Sequence, residues 1–89
     1  MDLKGLVNRN RKRRSRLEMK ADIMRSLSRG DRNKTDISNK EGIYSNTVSE
    51  MLEELKKHDL VSEFKGDWHL KQKGVRLLMR LEKIEEELG

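Results

Sequence analysis

The chain has 89 residues, of which 33% are hydrophobic and 42% are charged, and it contains no cysteine. This length supports one small domain, in which burial per residue is modest and a partner chain often adds stability. The lack of cysteine excludes disulfides and thiolate metal sites, and the N-terminus lacks the apolar run of a signal peptide. We therefore expect a soluble, cytoplasmic protein without a membrane segment.

The excess positive charge lies at the start of the chain. The formal net charge is +5 at pH 7, and residues 1–20 hold eight basic side chains against two acidic ones, whereas residues 21–89 hold thirteen against fourteen. Such a block is either a solvated tail or a segment that binds a polyanion. We favour phosphate contact by a basic arm over residues 1–14 and the helix start that follows it. The candidate residues are Arg9, Arg11, Lys12, Arg13, Arg14 and Arg16.

The first helix is predicted to run from about Arg16 to Ser28. Ser15 and Glu18 have the spacing of a capping box, in which each side chain satisfies a backbone N–H of the other. Gly30 ends the helix, and a polar turn follows. Its inner stripe is predicted at helical spacing, with Ile23 beside it: Leu17, Ala21, Met24 and Leu27.

Two further helices follow in close succession. Lys34–Glu41 reads as a short helix that Asn33 or Thr35 could cap and that Gly42 closes. A longer helix spans Asn46 to His58, with Ser45 placed to cap it. The longer helix has one apolar stripe for the core: Val48, Met51, Leu52 and Leu55.

A β-hairpin is predicted over residues 60–70. Leu60–Phe64 and Trp68–Leu70 read as short strands around the tight turn Lys65-Gly66-Asp67, and we expect Trp68 to pack on the core. Helix, turn, longer helix and hairpin form the outline of a winged helix-turn-helix, which is mainly α with a small β-hairpin. Such a unit presents one helix to a DNA groove and the hairpin to the DNA backbone. We assign this domain to residues 15–74.

The last helix, from roughly Gln72 to Glu87, shows two apolar stripes. Val75 and Leu78, with Leu70 before them, can close the core. The second stripe has the 4, 3, 4 spacing of a coiled-coil seam and comprises Leu77, Leu81, Ile84 and Leu88. We expect residues 75–89 to support a homodimer, with help from other surfaces because two heptads are too short alone. The alternative is an amphipathic helix that lies along its own domain.

Contact with DNA is expected from the helix at residues 45–58 and from the basic residues around it. Asparagine pairs with adenine, hydroxyls serve either partner, and Glu50 could accept from cytosine; the absence of arginine here predicts modest selectivity. The candidates for base contact are Ser45, Asn46, Thr47 and Ser49. The candidates for phosphate contact are Arg32, Lys34, Thr35, Tyr44 and Lys65, of which Lys34 and Thr35 lie at a helix N-terminus. Tyr44 could equally pack against the helix pair.

The sequence offers no pattern for catalysis or for a metal. His58 and His69 are not in a metal-ligand spacing, and the glycines are scattered rather than grouped in a phosphate-binding loop. We expect no enzymatic activity, no cofactor and no small-molecule substrate. The alternative function is a winged helix used for protein–protein contact in a transcription or assembly complex. The near-neutral body and the glutamates on the outer face of the third helix favour that alternative.

Residues 13–82 resemble the small archaeal winged-helix proteins of about ten kilodaltons that are dimeric and abundant on chromatin. The resemblance lies in short segments along the chain: residues 13–18 (RRSRLE), 22–24 (DIM), 34–37 (KTDI), 44–45 (YS), Leu52 with Leu55, 58–61 (HDLV) and 70–74 (LKQKG). It implies dimerisation through an antiparallel coiled coil of the last helix, two winged helices on duplex DNA, and no cofactor.

Two positions depart from that family's pattern. The last helix stops at Gly89, which predicts a shorter coiled coil. Asp59 stands where a turn glycine is expected, although aspartate tolerates the left-handed conformation better than most residues.

Overall fold

A computed structural model describes residues 14–89, and the predictions on Arg9, Arg11, Lys12 and Arg13 lie outside the described residues. The elements are α1 (Arg16–Ser28), α2 (Lys34–Glu41), α3 (Ser45–Lys57), β1 (Val61–Phe64), β2 (Asp67–Leu70) and α4 (Gln72–Leu88). Their order is that of a winged helix-turn-helix followed by a C-terminal helix. The predicted fold class is confirmed.

The helix ends form where the local sequence places them. Ser15 Oγ accepts from the N–H of Glu18, and the Glu18 carboxylate accepts from the N–H of Ser15, both at 3.0 Å, so the capping box is confirmed. Asn33 caps α2 by accepting from the N–H of Asp36 at 2.9 Å. Gly42 ends α2 with a φ of 65°, a conformation in which glycine has no steric penalty.

The predicted cap of α3 is wrong by one residue. Ser45 is the first residue of the helix, and Tyr44 occupies the N-cap position without a side-chain capping bond. The reason is the backbone: the N–H of Val48 donates to the carbonyl of Tyr44 at 2.9 Å, which starts the helical ladder one residue early. The Ser45 hydroxyl is therefore not held as a cap.

The hairpin pairs Val61 with Leu70 and Phe64 with Asp67. Its two turn residues, Lys65 and Gly66, both have positive φ, at 52° and 86°, as in the two-residue turns that match strand twist. Asp59, which precedes the hairpin, also has positive φ, at 62°, as expected. The segment before α2 joins the sheet through one bond, because Trp68 N–H donates to the Arg32 carbonyl at 2.7 Å.

The core lies between α1, α2, α3 and the hairpin. The side chain of Trp68 is buried, which confirms its predicted packing. The residues that form this core are Ile23, Met24, Leu27, Ile37, Ile43, Val48, Met51, Leu52, Leu55, Leu60, Val61, Trp68 and Leu78.

Two residues that were predicted to be in the core are not buried. Leu17 is 60% exposed, whereas Ile23, placed beside the stripe, is fully buried. Contacts of α1 with α3 and the hairpin turn the helix toward Ile23 and leave its first turn at the edge. Val75 is also exposed, because α4 turns Gly74 and Leu78 inward instead.

Gly74 fixes how α4 docks. A Cβ at this position would lie 2.2 Å from the Leu60 carbonyl oxygen, so only glycine permits this approach. Leu77 and Leu81 then pack partly against the core, while Ile84 and Leu88 stay exposed. The first half of α4 thus lies along its own domain, and the end of the seam is uncovered.

Within residues 14–89, no helix combines the length and the apolar character that crossing a membrane requires.

Candidate nucleic-acid interface

The outer face of α3 carries polar side chains that the core does not use. With its apolar stripe buried, Ser45 and Asn46 are exposed, and Thr47 and Ser49 are half-buried. All four lie in the first two turns, the part of a recognition helix that contacts base edges. The candidate base-contact residues are therefore together on one accessible part of α3.

A single surface hollow joins three elements beside this face. It has a volume of about 430 Å³ and is lined by Asn33, Lys34, Thr35, Glu53, Glu63, Gly66 and Trp68. The start of α2, the outer side of α3 and the hairpin turn therefore border one concave surface. We call this surface the α2–α3–wing hollow, where the wing is the β1–β2 hairpin.

The α2–α3–wing hollow has charges of both signs. The ammonium group of Lys34, which lines the hollow, lies 6.0 Å from the centroid of the Trp68 ring, and that of Lys56, outside the hollow, lies 5.9 Å from it, both within the range of cation–π attraction. Glu53 and Glu63 line the same surface, and the Glu63 carboxylate accepts from the N–H of Gly66 at 2.8 Å. These carboxylates oppose the attraction that Lys34 would exert on a phosphate.

Arg14 and Arg32 have roles inside the fold. Arg14 donates to the Asp22 carboxylate at 2.5 Å and to the Glu41 carbonyl at the end of α2. Arg32 donates to the Leu27 carbonyl at 3.0 Å, near the end of α1. These internal bonds hold both guanidinium groups in place. The predicted contacts of Arg14 and Arg32 with DNA stay predictions.

Arg16 belongs to a charge cluster between α1 and α3. Its guanidinium contacts Glu50 at 3.2 Å and Glu54, and Lys20 contacts the other oxygen of Glu54 at 2.8 Å. The hydrogen bond from Lys20 lowers the pKa of Glu54, burial opposes that shift, and the charge of Arg16 adds to it. These four residues, Arg16, Lys20, Glu50 and Glu54, are called the α1–α3 charge cluster below.

Two aromatic side chains are exposed near the candidate interface. Tyr44 is 83% exposed, so it does not pack against the helix pair and its hydroxyl is accessible. Phe64, at the end of β1, is 69% exposed, and the ammonium of Lys65 lies 5.3 Å from its ring centroid. Sequence reasoning missed Phe64, although the alternation of side chains along a strand places it on the face opposite the buried Val61.

A second accessible surface lies on α1 and α4. A groove of about 340 Å³ is lined by Leu17, Glu18, Ala21, Asp22, Arg25, Leu81, Ile84 and Glu85. Its floor is apolar, and Arg25 pairs with acidic residues of both helices, among them Asp22 at 2.9 Å and Glu82 at 3.6 Å. We call this surface the α1–α4 groove. It brings the exposed Leu17 next to two residues of the predicted seam.

Within the described part of the chain, no three histidine, aspartate or glutamate side chains come together as a metal site. The perturbed carboxyl groups, those of Glu18, Asp31, Glu54 and Asp59, have pKa values lowered by hydrogen bonds or ion pairs on the surface. Lowered values of this origin are typical of structural ion pairs as well as of functional sites.

Comparison with known proteins agrees with this geometry. A family model described as a winged helix-turn-helix matches residues 13–89. A search of curated proteins finds no significant match. The predicted winged helix-turn-helix is confirmed, and the narrower archaeal resemblance stays a prediction.

Proposed function

The chain belongs to the winged helix-turn-helix family, and on that premise we propose that it binds double-stranded DNA as a transcription regulator or a chromatin-associated protein. The observation that carries the proposal is the α2–α3–wing hollow. It places a helix N-terminus, the outer side of α3 and the hairpin turn on one surface. These are the parts that a winged helix applies to a duplex.

The dimensions of α3 suit a major groove. Its 13 residues give a length of about 20 Å, and the groove is about 12 Å wide. Asn46 would read adenine, and the hydroxyls of Ser45, Thr47 and Ser49 would serve bases of either kind. The absence of arginine on this face favours low sequence selectivity.

Phosphate contacts would surround α3. Lys34 and Thr35 lie at the N-terminus of α2, where unpaired N–H groups and the helix dipole favour an anion. Tyr44 and Lys65 would donate to the backbone on either side, and Phe64 would contact sugar at the wing tip. The basic arm would add charge through Arg9, Arg11, Lys12 and Arg13.

The test is a titration of a labelled random 20-base-pair duplex at several salt concentrations, followed by fluorescence anisotropy. Phosphate contacts release counterions, so the affinity should fall steeply as salt rises. Loss of binding in dilute buffer would refute the proposal, and so would an affinity independent of salt.

We propose further that the protein is a homodimer through the α1–α4 groove and the seam of α4. Leu77 and Leu81 are half-buried, whereas Ile84 and Leu88 remain exposed. The exposed Leu17 extends this apolar surface onto α1. A coiled coil of two heptads is marginal alone, and the added area of α1 would offset that weakness.

Two exposed glutamates of α3 favour a second candidate function, protein–protein contact. Glu50 and Glu53 are exposed on the outer side of α3, where a phosphate backbone would repel them. A winged helix that docks on a basic protein would use the same face. The titration above separates the two, because only the DNA-binding function gives a complex with a bare duplex.

A further inference from the structure

We propose that Glu50 reads a cytosine in the major groove and that Arg16 is its positioning residue. The inference rests on the proposed DNA binding through α3. It adds the base that α3 would select and the contact between α1 and α3 that would orient the Glu50 side chain.

The position of Glu50 on α3 is the first support. Glu50 lies two residues from both Val48 and Leu52, which are buried. Residues two apart on a helix are about 200° apart, so Glu50 points away from the core. It is four residues after Asn46 and therefore shares its face. A side chain here faces whatever α3 contacts.

Within residues 14–89, the α1–α3 charge cluster bonds one of the two carboxylate oxygens of Glu50. One guanidinium nitrogen of Arg16 contacts Glu50 Oε1 at 3.2 Å. The other oxygen of Glu50 has no hydrogen-bond partner within residues 14–89, and the side chain is 59% exposed. Glu54 differs, because Lys20 and Arg16 contact its two oxygens. Glu50 is thus an oriented acceptor with one oxygen available.

The chemistry of the major groove restricts what this oxygen can bind. A carboxylate only accepts hydrogen bonds. Guanine presents the acceptors N7 and O6, and thymine presents O4, so both repel it. Cytosine presents an amino donor, whereas adenine sets its N7 acceptor beside its amino group. Glu50 should therefore prefer cytosine and reject guanine and thymine.

Fold stability does not require the Arg16–Glu50 pair. An exposed ion pair contributes little to folding, and the buried Met24, Leu27, Met51 and Leu55 belong to the core that α1 and α3 share. Glu54 already engages both cations of the cluster. What Arg16 adds at Glu50 is orientation and a positive charge that offsets repulsion from phosphates.

The experiment selects bound sequences from a duplex pool with a randomised centre, using the wild type, Glu50→Gln and Glu86→Gln. The wild type should enrich a cytosine at one position, with about 5- to 100-fold discrimination against guanine. Glu50→Gln should lose that discrimination, because an amide both donates and accepts. Glu86→Gln, the control at an exposed glutamate of α4 outside the α2–α3–wing hollow, should keep it.

A double-mutant cycle tests the positioning role. Arg16→Met keeps an unbranched side chain and removes the guanidinium. It should weaken the cytosine preference in the wild-type background and leave it unchanged in the Glu50→Gln background. A merely structural Arg16 would lower thermal stability and leave the base preference intact, and that result would overturn its assignment.

Other outcomes separate this inference from the proposed function. A Glu50→Gln protein that retains the cytosine preference would overturn the inference. An affinity that rises equally for every sequence would also overturn it, because Glu50 would then only repel DNA. A protein that binds duplexes without selecting cytosine would overturn the inference and leave the proposed function intact. A protein that binds no duplex would overturn the proposed function.

Discussion

The α2–α3–wing hollow and the α1–α4 groove differ in the side chains that they leave accessible. The α2–α3–wing hollow presents mostly ammonium, carboxylate, amide and hydroxyl groups, whereas the α1–α4 groove combines leucine, alanine and isoleucine side chains with charged residues. A charged duplex keeps most of its hydration when bound, while an apolar groove gains stability only if water is removed. The difference supports the proposal that one surface contacts a polyanion and the other contacts a second protein chain.

Charge along the chain reinforces that separation. Residues 14–89 hold sixteen basic and fifteen acidic side chains, and residues 1–13 hold five basic against one acidic. The folded body is therefore nearly neutral, and several of its arginines are paired with its own carboxylates. Affinity for DNA should come largely from the arm, and selectivity from α3.

Removing the arm should have the largest effect. Deletion of residues 1–13 removes five basic residues, and each phosphate contact contributes about 0.9 to the slope of log affinity against log salt. We expect the slope to fall by about 4 and the affinity at 0.15 M salt to fall at least about 100-fold.

A full-length variant with glutamine at Arg9, Arg11, Lys12 and Arg13 controls for chain length. It should behave like the deletion, and both should sediment like the wild type, because the seam is elsewhere. An unchanged affinity would contradict the proposed role of the arm and would place the binding charge in the folded body.

Disrupting the seam should change assembly. Ile84→Asp places a charge on the exposed end of the apolar stripe, so we expect monomers in sedimentation velocity. Met79→Asp is the matched control, because Met79 is 65% exposed and lies on the opposite side of α4. A sedimentation coefficient of Ile84→Asp equal to that of the wild type would contradict the proposed dimer contact through the seam.

The sequence predicted the elements well because the signals are local. The capping box of Ser15 and Glu18, the Asn33 cap and the left-handed Gly42 each depend on residues within a turn of one another. The exposure of Leu17 and the burial of Ile23 could not be predicted, since helix neighbours set the rotation of α1.

The candidate site shows the same limit. The residues of α3 that stay exposed follow from its apolar stripe, so their position was predictable. The partners of the arginines were not predictable, because they are distant in sequence. Arg16 pairs with Glu50, which is 34 residues away, and Arg14 donates to a backbone carbonyl 27 residues away. The sequence predicted that these arginines are free to contact DNA, whereas in the folded chain they bond to other residues of the domain.

A smaller effect is expected where α4 docks on the hairpin. Gly74→Ala favours the helix by about 1 kcal/mol but places a Cβ 2.2 Å from the Leu60 carbonyl oxygen. Because a backbone atom cannot move aside cheaply, we expect a net loss of about 1–3 kcal/mol in the free energy of unfolding. Urea denaturation measures it, with Gln72→Ala as the control. A Gly74→Ala protein more stable than the wild type would contradict this docking.

The smallest effect is a pH dependence from the α1–α3 charge cluster. The hydrogen bond from Lys20 and the charge of Arg16 lower the pKa of Glu54 from its usual 4.5. Ionised Glu54 therefore stabilises the fold above about pH 4.5, and this contribution disappears as pH falls through the lowered pKa. In thermal melts the difference between wild type and Glu54→Gln should shrink below pH 4. A difference that stays constant between pH 7 and pH 3 would rule out that ion pair, and Glu87→Gln is the control.

Amide chemical shifts, recorded with and without a duplex on isotopically labelled protein, test the division between the two surfaces most directly. We predict that DNA shifts the amides of Thr35, Asn46, Ser49 and Lys65 and leaves those of Met79 and Leu88 unchanged. Shifts concentrated on α4, with α3 and the wing unaffected, would contradict the assignment of the α2–α3–wing hollow to DNA.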